Sequence, residues 1–129
     1  MWKKFLNPAS GGGTNYSKIT QKLTHSAIGT TESTSSTSYT PTKDEDALVI
    51  TILLGSSSYT SYAYLKEGST KVVTLSQGTT PSPKGIVYGS TTYAAVFQYY
   101  KLQAGVTYKL AIKNGHAQNN STVRLYILE

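Results

Sequence analysis

The chain contains no cysteine. That excludes disulfides, thiolate nucleophiles and cysteine-based metal sites. Arg124 is its one arginine, whereas nucleic-acid readers cluster arginines among aromatic residues. The net charge of +6 therefore reads as solvated strand faces with a weak preference for anionic surfaces. Acids are scarce. Asp44, Glu45 and Asp46 adjoin, and Glu32, Glu67 and Glu129 stand apart, so no carboxylate pair at hydrolytic spacing is visible. The three adjacent acids could open a Ca²⁺ site, but the alternating acids and central glycine of a calcium loop are missing. A solvated turn ahead of a strand is the expectation. His25, in a strand, and His116, in a polar loop, lack partners for a triad and read as surface or packing residues. Gly11-Gly12-Gly13 lacks the Lys-Ser/Thr of a phosphate loop. We thus expect no catalytic residues, no cofactor, no metal and no enzyme.

Long apolar runs are missing too. The longest, Ala47 to Leu54, is interrupted by Thr51 and falls well short of the ~20 residues a membrane helix needs. No apolar run of signal-peptide length follows Met1. The expectation is a product made in the cytoplasm and not exported by such a signal. The alternative is a secreted part of a larger or trimmed protein. No stretch has helical spacing, and no repeat of solenoid length is visible.

What the chain does have is tyrosine, 11 residues, with much Thr, Ser and Val, the types that suit a pleated surface. Hydrophobic residues make up 38%, low but enough for one two-layer core, because alternating strands bury half their residues. Tyr108, Leu110 and Ile112 share one parity, with Thr107, Lys109, Ala111 and Lys113 on the other. Val123, Leu125 and Ile127 alternate with Arg124, Tyr126 and Leu128. Period two assigns the first set of each to a core face and the second to water. Further strands are expected over Tyr16 to Ile28 (core contacts Ile19, Leu23 and Ile28), through the Thr/Ser-rich run that ends near Tyr39, and over Ala47–Leu54 as the central strand. Tyr59–Lys66 and Lys71–Leu75 form a hairpin about Glu67-Gly68-Ser69-Thr70. Ile86–Tyr88 is short, and Tyr93–Leu102 is long. That gives about eight or nine strands near ten-residue spacing, the pattern of an all-β antiparallel sandwich, with hairpins predominating.

Residues 1–16 read as an N-terminal arm and glycine hinge, and 17–129 as the β-sandwich domain. Trp2, Lys3, Lys4, Phe5 and Leu6 form an apolar, basic tip ahead of Pro8 and the three glycines. Such a tip folds back on its own sandwich or docks on a partner subunit, and we take these five as candidate partner-docking residues. The first 31 residues contain no acid, which favours an acidic partner surface. Tyr59, Tyr62, Tyr64, Tyr99 and Tyr100 are candidate glycan contacts, since rings stack on sugars. The competing reading is cross-strand pairing within the sheets.

The closing stretch Leu102-Gln103-Ala104-Gly105-Val106-Thr107-Tyr108-Lys109-Leu110 resembles the end of jelly-roll modules, carbohydrate-binding modules among them, over about a quarter of the chain. The opening Met1-Trp2-Lys3-Lys4-Phe5-Leu6-Asn7-Pro8 with its glycine hinge resembles small virion proteins of tailed bacteriophages, such as head decoration proteins and tail appendages. These resemblances imply a jelly-roll-like sandwich presented on a virion surface, a homo-oligomer tethered to capsid or tail subunits by its N-terminal segment. A carbohydrate-binding module touching cell-surface glycan is the alternative. Nucleic-acid binding and membrane insertion are not expected.

Overall fold

The computed structural model describes residues 15–56, 58–78, 86–88 and 91–129, with backbone alone at 86–88, 91 and 92. Nine strands run through them: β1 (Ile19–Ile28), β2 (Ser33–Thr34), β3 (Glu45–Ser56), β4 (Ser61–Glu67), β5 (Thr70–Gln77), β6 (Ile86–Tyr88), β7 (Thr91–Leu102), β8 (Tyr108–Lys113) and β9 (Asn120–Leu128). They form two sheets, ordered β1-β9-β3-β7-β6 and β2-β8-β4-β5. Every pairing is antiparallel. If the short edge strand β6 is set aside and the rest are renumbered, the order becomes 1-8-3-6 over 2-7-4-5. That is the eight-stranded jelly roll, two Greek keys closed face to face.

The antiparallel sandwich is as expected, but hairpins do not predominate. Among the described strands, β4–β5 and β6–β7 are the sequential neighbours that pair, and most other connections cross between sheets. Each strand has one apolar parity that must be buried against a second layer, and crossing supplies that layer at once.

Ala47 and Val49 of β3 lie opposite Ile127 and Leu125 of β9, and Leu53 and Val123 share the inner side of the same sheet, all fully buried. Tyr108, Leu110 and Ile112 of β8 with Ala63 and Leu65 of β4 form the opposing layer, also fully buried. The parities read for β8 and β9 hold, with two corrections: Leu128, assigned to water, is 4% exposed because Tyr16 packs over it, and Ala111, also assigned to water, is 0% exposed. It lies between Thr34 of β2 and Tyr64 of β4, neighbours that only the sheet order brings to it.

β1 corrects a second expectation. Leu23 is buried, but Ile19 is 45% and Ile28 66% exposed. The register against β9 shifts between Gln21 and Leu23, which leaves Lys22 as the extra residue of a bulge. A bulge flips every later side chain to the opposite face. Ile19 therefore points outward with Leu128, whereas Leu23 points inward with Leu125. The Thr/Ser run before Tyr39 makes little strand, just Ser33–Thr34 and a single bridge from Tyr39 to Tyr108. It has few apolar side chains to hold a longer edge strand against the core.

Candidate docking surface

β3 is apolar at both parities. Once Ala47, Val49 and Leu53 fill the core, Leu48, Ile50, Ile52 and Leu54 must point the other way. β7 repeats the arrangement with Tyr93, Ala95, Phe97 and Tyr99. The register sets Leu48 against Tyr99 and Tyr126, Ile50 against Phe97 and Arg124, Ile52 against Ala95, and Leu54 against Tyr93. The result is a continuous apolar and aromatic outer face on the five-stranded sheet. Ile52 is 60%, Phe97 51%, Tyr99 46% and Tyr93 42% exposed. An antiparallel sheet facing water ordinarily turns polar residues outward, and contiguous exposed apolar patches mark interaction surfaces. Two open grooves indent this face. One of 410 Å³ lies along Ile19, Leu48, Ile50, Ile52, Arg124 and Tyr126. One of 270 Å³ lies near Leu54, Tyr93 and Thr122.

The outer face of the four-stranded sheet is of the opposite kind. It carries Lys66, Lys71, Lys109 and Lys113, with Glu32 bridging Lys66 at 3.0 Å and Lys71 at 2.7 Å. Those two ammonium groups hold the Glu32 carboxyl below its ordinary value, and Glu32 in turn raises Lys71. One face of the molecule is built for water and the other is not.

One end of the apolar face is closed by the chain itself. Tyr16 is 7% exposed and packs on Leu48, Leu128 and Tyr126. Its hydroxyl donates to Asp46 Oδ2 at 2.8 Å. Tyr99 donates to Asp46 Oδ1 at 2.6 Å, and Lys101 Nζ lies 2.7 Å from that same oxygen. The acidic trio is therefore not a merely solvated turn. Asp46 clamps three donors, Glu45 accepts the Tyr39 hydroxyl, and Asp44 accepts the Ala104 N–H at 2.9 Å. Burial and the Glu45 carboxylate push the Tyr39 hydroxyl up to about 12. Burial and Asp46 likewise raise Tyr99.

Burial alone would raise the Asp46 carboxyl, but the donors Lys101, Tyr99 and Tyr16 outweigh it and hold the group below its ordinary 3.8. A depressed carboxyl stabilises the fold fully above the unfolded value. That stability is lost as the pH falls below 3.8 through the folded value. Asp46→Asn should therefore cost roughly 2 kcal/mol at neutral pH, and the difference from wild type should vanish in acid. Thermal melts of both proteins across the acid range would show it, and a gap independent of pH would contradict it.

The structure separates the tyrosines that the sequence suggested as glycan contacts. Tyr62 and Tyr64 lie on the outer face of the four-stranded sheet, stacked 5.9 Å apart at 7°. Tyr64 is 6% exposed and Lys71 covers its ring at 4.1 Å. Tyr59 leans on His116 at 5.6 Å. Tyr99 belongs to the other sheet's outer face, and its neighbour Tyr100 turns inward to meet the Tyr108 ring edge-on at 6.3 Å. The five form no common platform, because consecutive residues of a strand point to opposite faces. His25 accordingly serves packing, its Nε2 3.0 Å from the Ser33 carbonyl oxygen. Among the described residues no group of three His, Cys, Asp or Glu could hold a metal ion.

Trp2, Lys3, Lys4, Phe5 and Leu6 lie outside the described residues. The sequence reading did not identify the outer face made by Ile52, Phe97, Tyr93 and Tyr126. Its signal was present: a strand apolar at both parities is buried on both sides, and a two-layer sandwich covers only one. Comparison with protein-family models, curated proteins and solved structures gives no match for this chain.

Proposed function

We propose that this chain is a non-enzymatic structural protein that coats a larger assembly through the outer face of its five-stranded sheet and its N-terminal tip. The carrying observation is the contrast between the two outer faces, one apolar and aromatic, the other basic and salt-bridged. A subunit built this way sets its apolar face toward neighbours and its lysine-rich face toward water. Together with the likeness of the opening segment to small tailed-phage virion proteins, this supports a capsid decoration protein or tail appendage, held by Trp2 to Leu6 on capsid or tail subunits. Burying exposed apolar area contributes roughly 25 cal/mol per Å², and repetition over many copies multiplies a weak contact into avidity. The carbohydrate-binding alternative has less support, since Tyr64 is covered and Tyr100 faces inward.

Deleting residues 1–13 should abolish incorporation into particles while the melting temperature of the sandwich stays unchanged. Retained incorporation would defeat the proposal. Ile52→Asp with Phe97→Asp should have the same effect, because both side chains are more than half exposed in the single subunit and contribute little to its own stability.

A further inference from the structure

We infer that the Trp2–Leu6 tip of one copy docks on the outer face of the five-stranded sheet of a second copy. This rests on the assembly reading above, and places the tip on a neighbouring copy within that assembly, not directly on a capsid or tail subunit. Three observations carry it. First, the chain that follows the tip already lies on this kind of surface: Tyr16 seats on Leu48, Leu128 and Tyr126 and is tied to Asp46. The tip therefore starts from one end of its own face.

Second, the chemistry matches. Trp2, Phe5 and Leu6 are apolar and aromatic, and the 410 Å³ groove between β1, β9 and β3 is open and walled by Ile19, Ile50, Ile52 and Tyr126. Arg124 stands at that groove, placed to lie over an indole face. Lys3 and Lys4 interrupt the apolar residues. Near the end of the face where Tyr16 sits, Asp44, Glu45, Asp46 and Glu129 surround a third hollow together with Lys43 and Lys101, so carboxylates outnumber ammonium groups there. A basic tip meets an acidic corner.

Third, reach permits a second copy. Leu6 precedes Tyr16 by ten positions, which an extended chain spans with up to ~35 Å. The outward row from Leu48 to Leu54 rises only ~20 Å. Fully extended, the tether is long enough to carry the tip past its own sheet and onto a neighbouring copy that presents the same groove. Each copy then gives one tip and receives another. Exchanged reciprocally, the tips close a two-fold dimer; passed on from copy to copy, they close into a ring or continue along a lattice.

Trp2 is the one tryptophan in the chain, so its emission reports docking directly in the full-length protein. Expected is a blue shift that grows with protein concentration and is absent in Ile52→Asp at every concentration, although that variant melts as wild type does. Because the chain has no cysteine, two single variants can be mixed under mild oxidation. Phe5→Cys with Ile52→Cys should give a covalent dimer. Phe5→Cys with Thr74→Cys, exposed on the opposite outer face, should not. A blue shift independent of concentration, with crosslinking only within a Phe5→Cys/Ile52→Cys double variant, would overturn the inference in favour of the tip covering its own face. Emission that stays red throughout, or Ile52→Cys dimers that form equally well after deletion of residues 1–13, would also overturn it. The assembly reading is tested separately: if incorporation still needs residues 1–13 while these tests fail, the tip docks on a different subunit.

Discussion

Tyr108→Ala should cost about 4 kcal/mol of folding stability, the range for truncating a large buried aromatic residue. Tyr108 is among the largest fully buried side chains, at 0% exposed. It joins three parts of the molecule. Its ring meets Tyr100 of β7 edge-on at 73°. Its hydroxyl oxygen accepts the Gln103 N–H at 2.9 Å and so fixes the corner after β7. Its backbone exchanges hydrogen bonds with Tyr39 at 2.8 and 2.9 Å, a bridge that holds that segment to β8 beyond the end of β2. Removing the ring leaves a cavity between the sheets and frees the corner. Tyr108→Phe separates the two effects. It keeps the packing and loses only the hydroxyl, at about 1 kcal/mol. For a domain of this size, about 4 kcal/mol should lower the melting temperature by more than roughly 10 °C. A loss under about 1 kcal/mol for the alanine variant would mean that the core collapses around the gap.

Gly55→Ala should destabilise by about 3 kcal/mol, near the upper end for overpacking a rigid interior. A Cβ at Gly55 would come within 2.3 Å of the Gln77 carbonyl oxygen and 2.5 Å of its carbon. Both are backbone atoms, so no side chain can swing aside. The close approach follows from topology. β3 ends at Ser56 in one sheet and β4 begins at Ser61 in the other, so a short link forces the sheets together there. The Ser61 hydroxyl donates to the Leu54 carbonyl oxygen at 2.5 Å, and Ser56 N–H donates to Tyr59 at 3.1 Å. Equilibrium denaturation of Gly55→Ala measures the cost. Gly68→Ala is the instructive comparison: nothing lies within 4 Å of a Cβ there, and a positive φ of 62° is the sole obstacle, so its loss should be nearer 1 kcal/mol.

These two positions also show where reading the sequence stops. Period two alone placed Tyr108, Leu110 and Ile112 inside, and Val123, Leu125 and Ile127 with them, because side-chain direction in a strand is a local property. The same rule failed for Ile19 once Lys22 added a bulge, since a register shift is visible only against a partner strand. It failed for Ala111 because burial there depends on which strands lie alongside. Gly55 reads as an ordinary turn glycine until the second sheet is in place.

By itself the sequence determined that this chain pairs antiparallel strands into two apolar layers, because alternation and turn residues act between near neighbours. Only the tertiary structure decided that β3 lies between β9 and β7 with its second apolar parity facing outward, that Asp46 gathers Tyr16, Tyr99 and Lys101, and that the two outer faces differ in kind. Those facts depend on strand order and register between residues far apart in the chain; the local pattern of β3 shows two apolar parities but not which strands flank them.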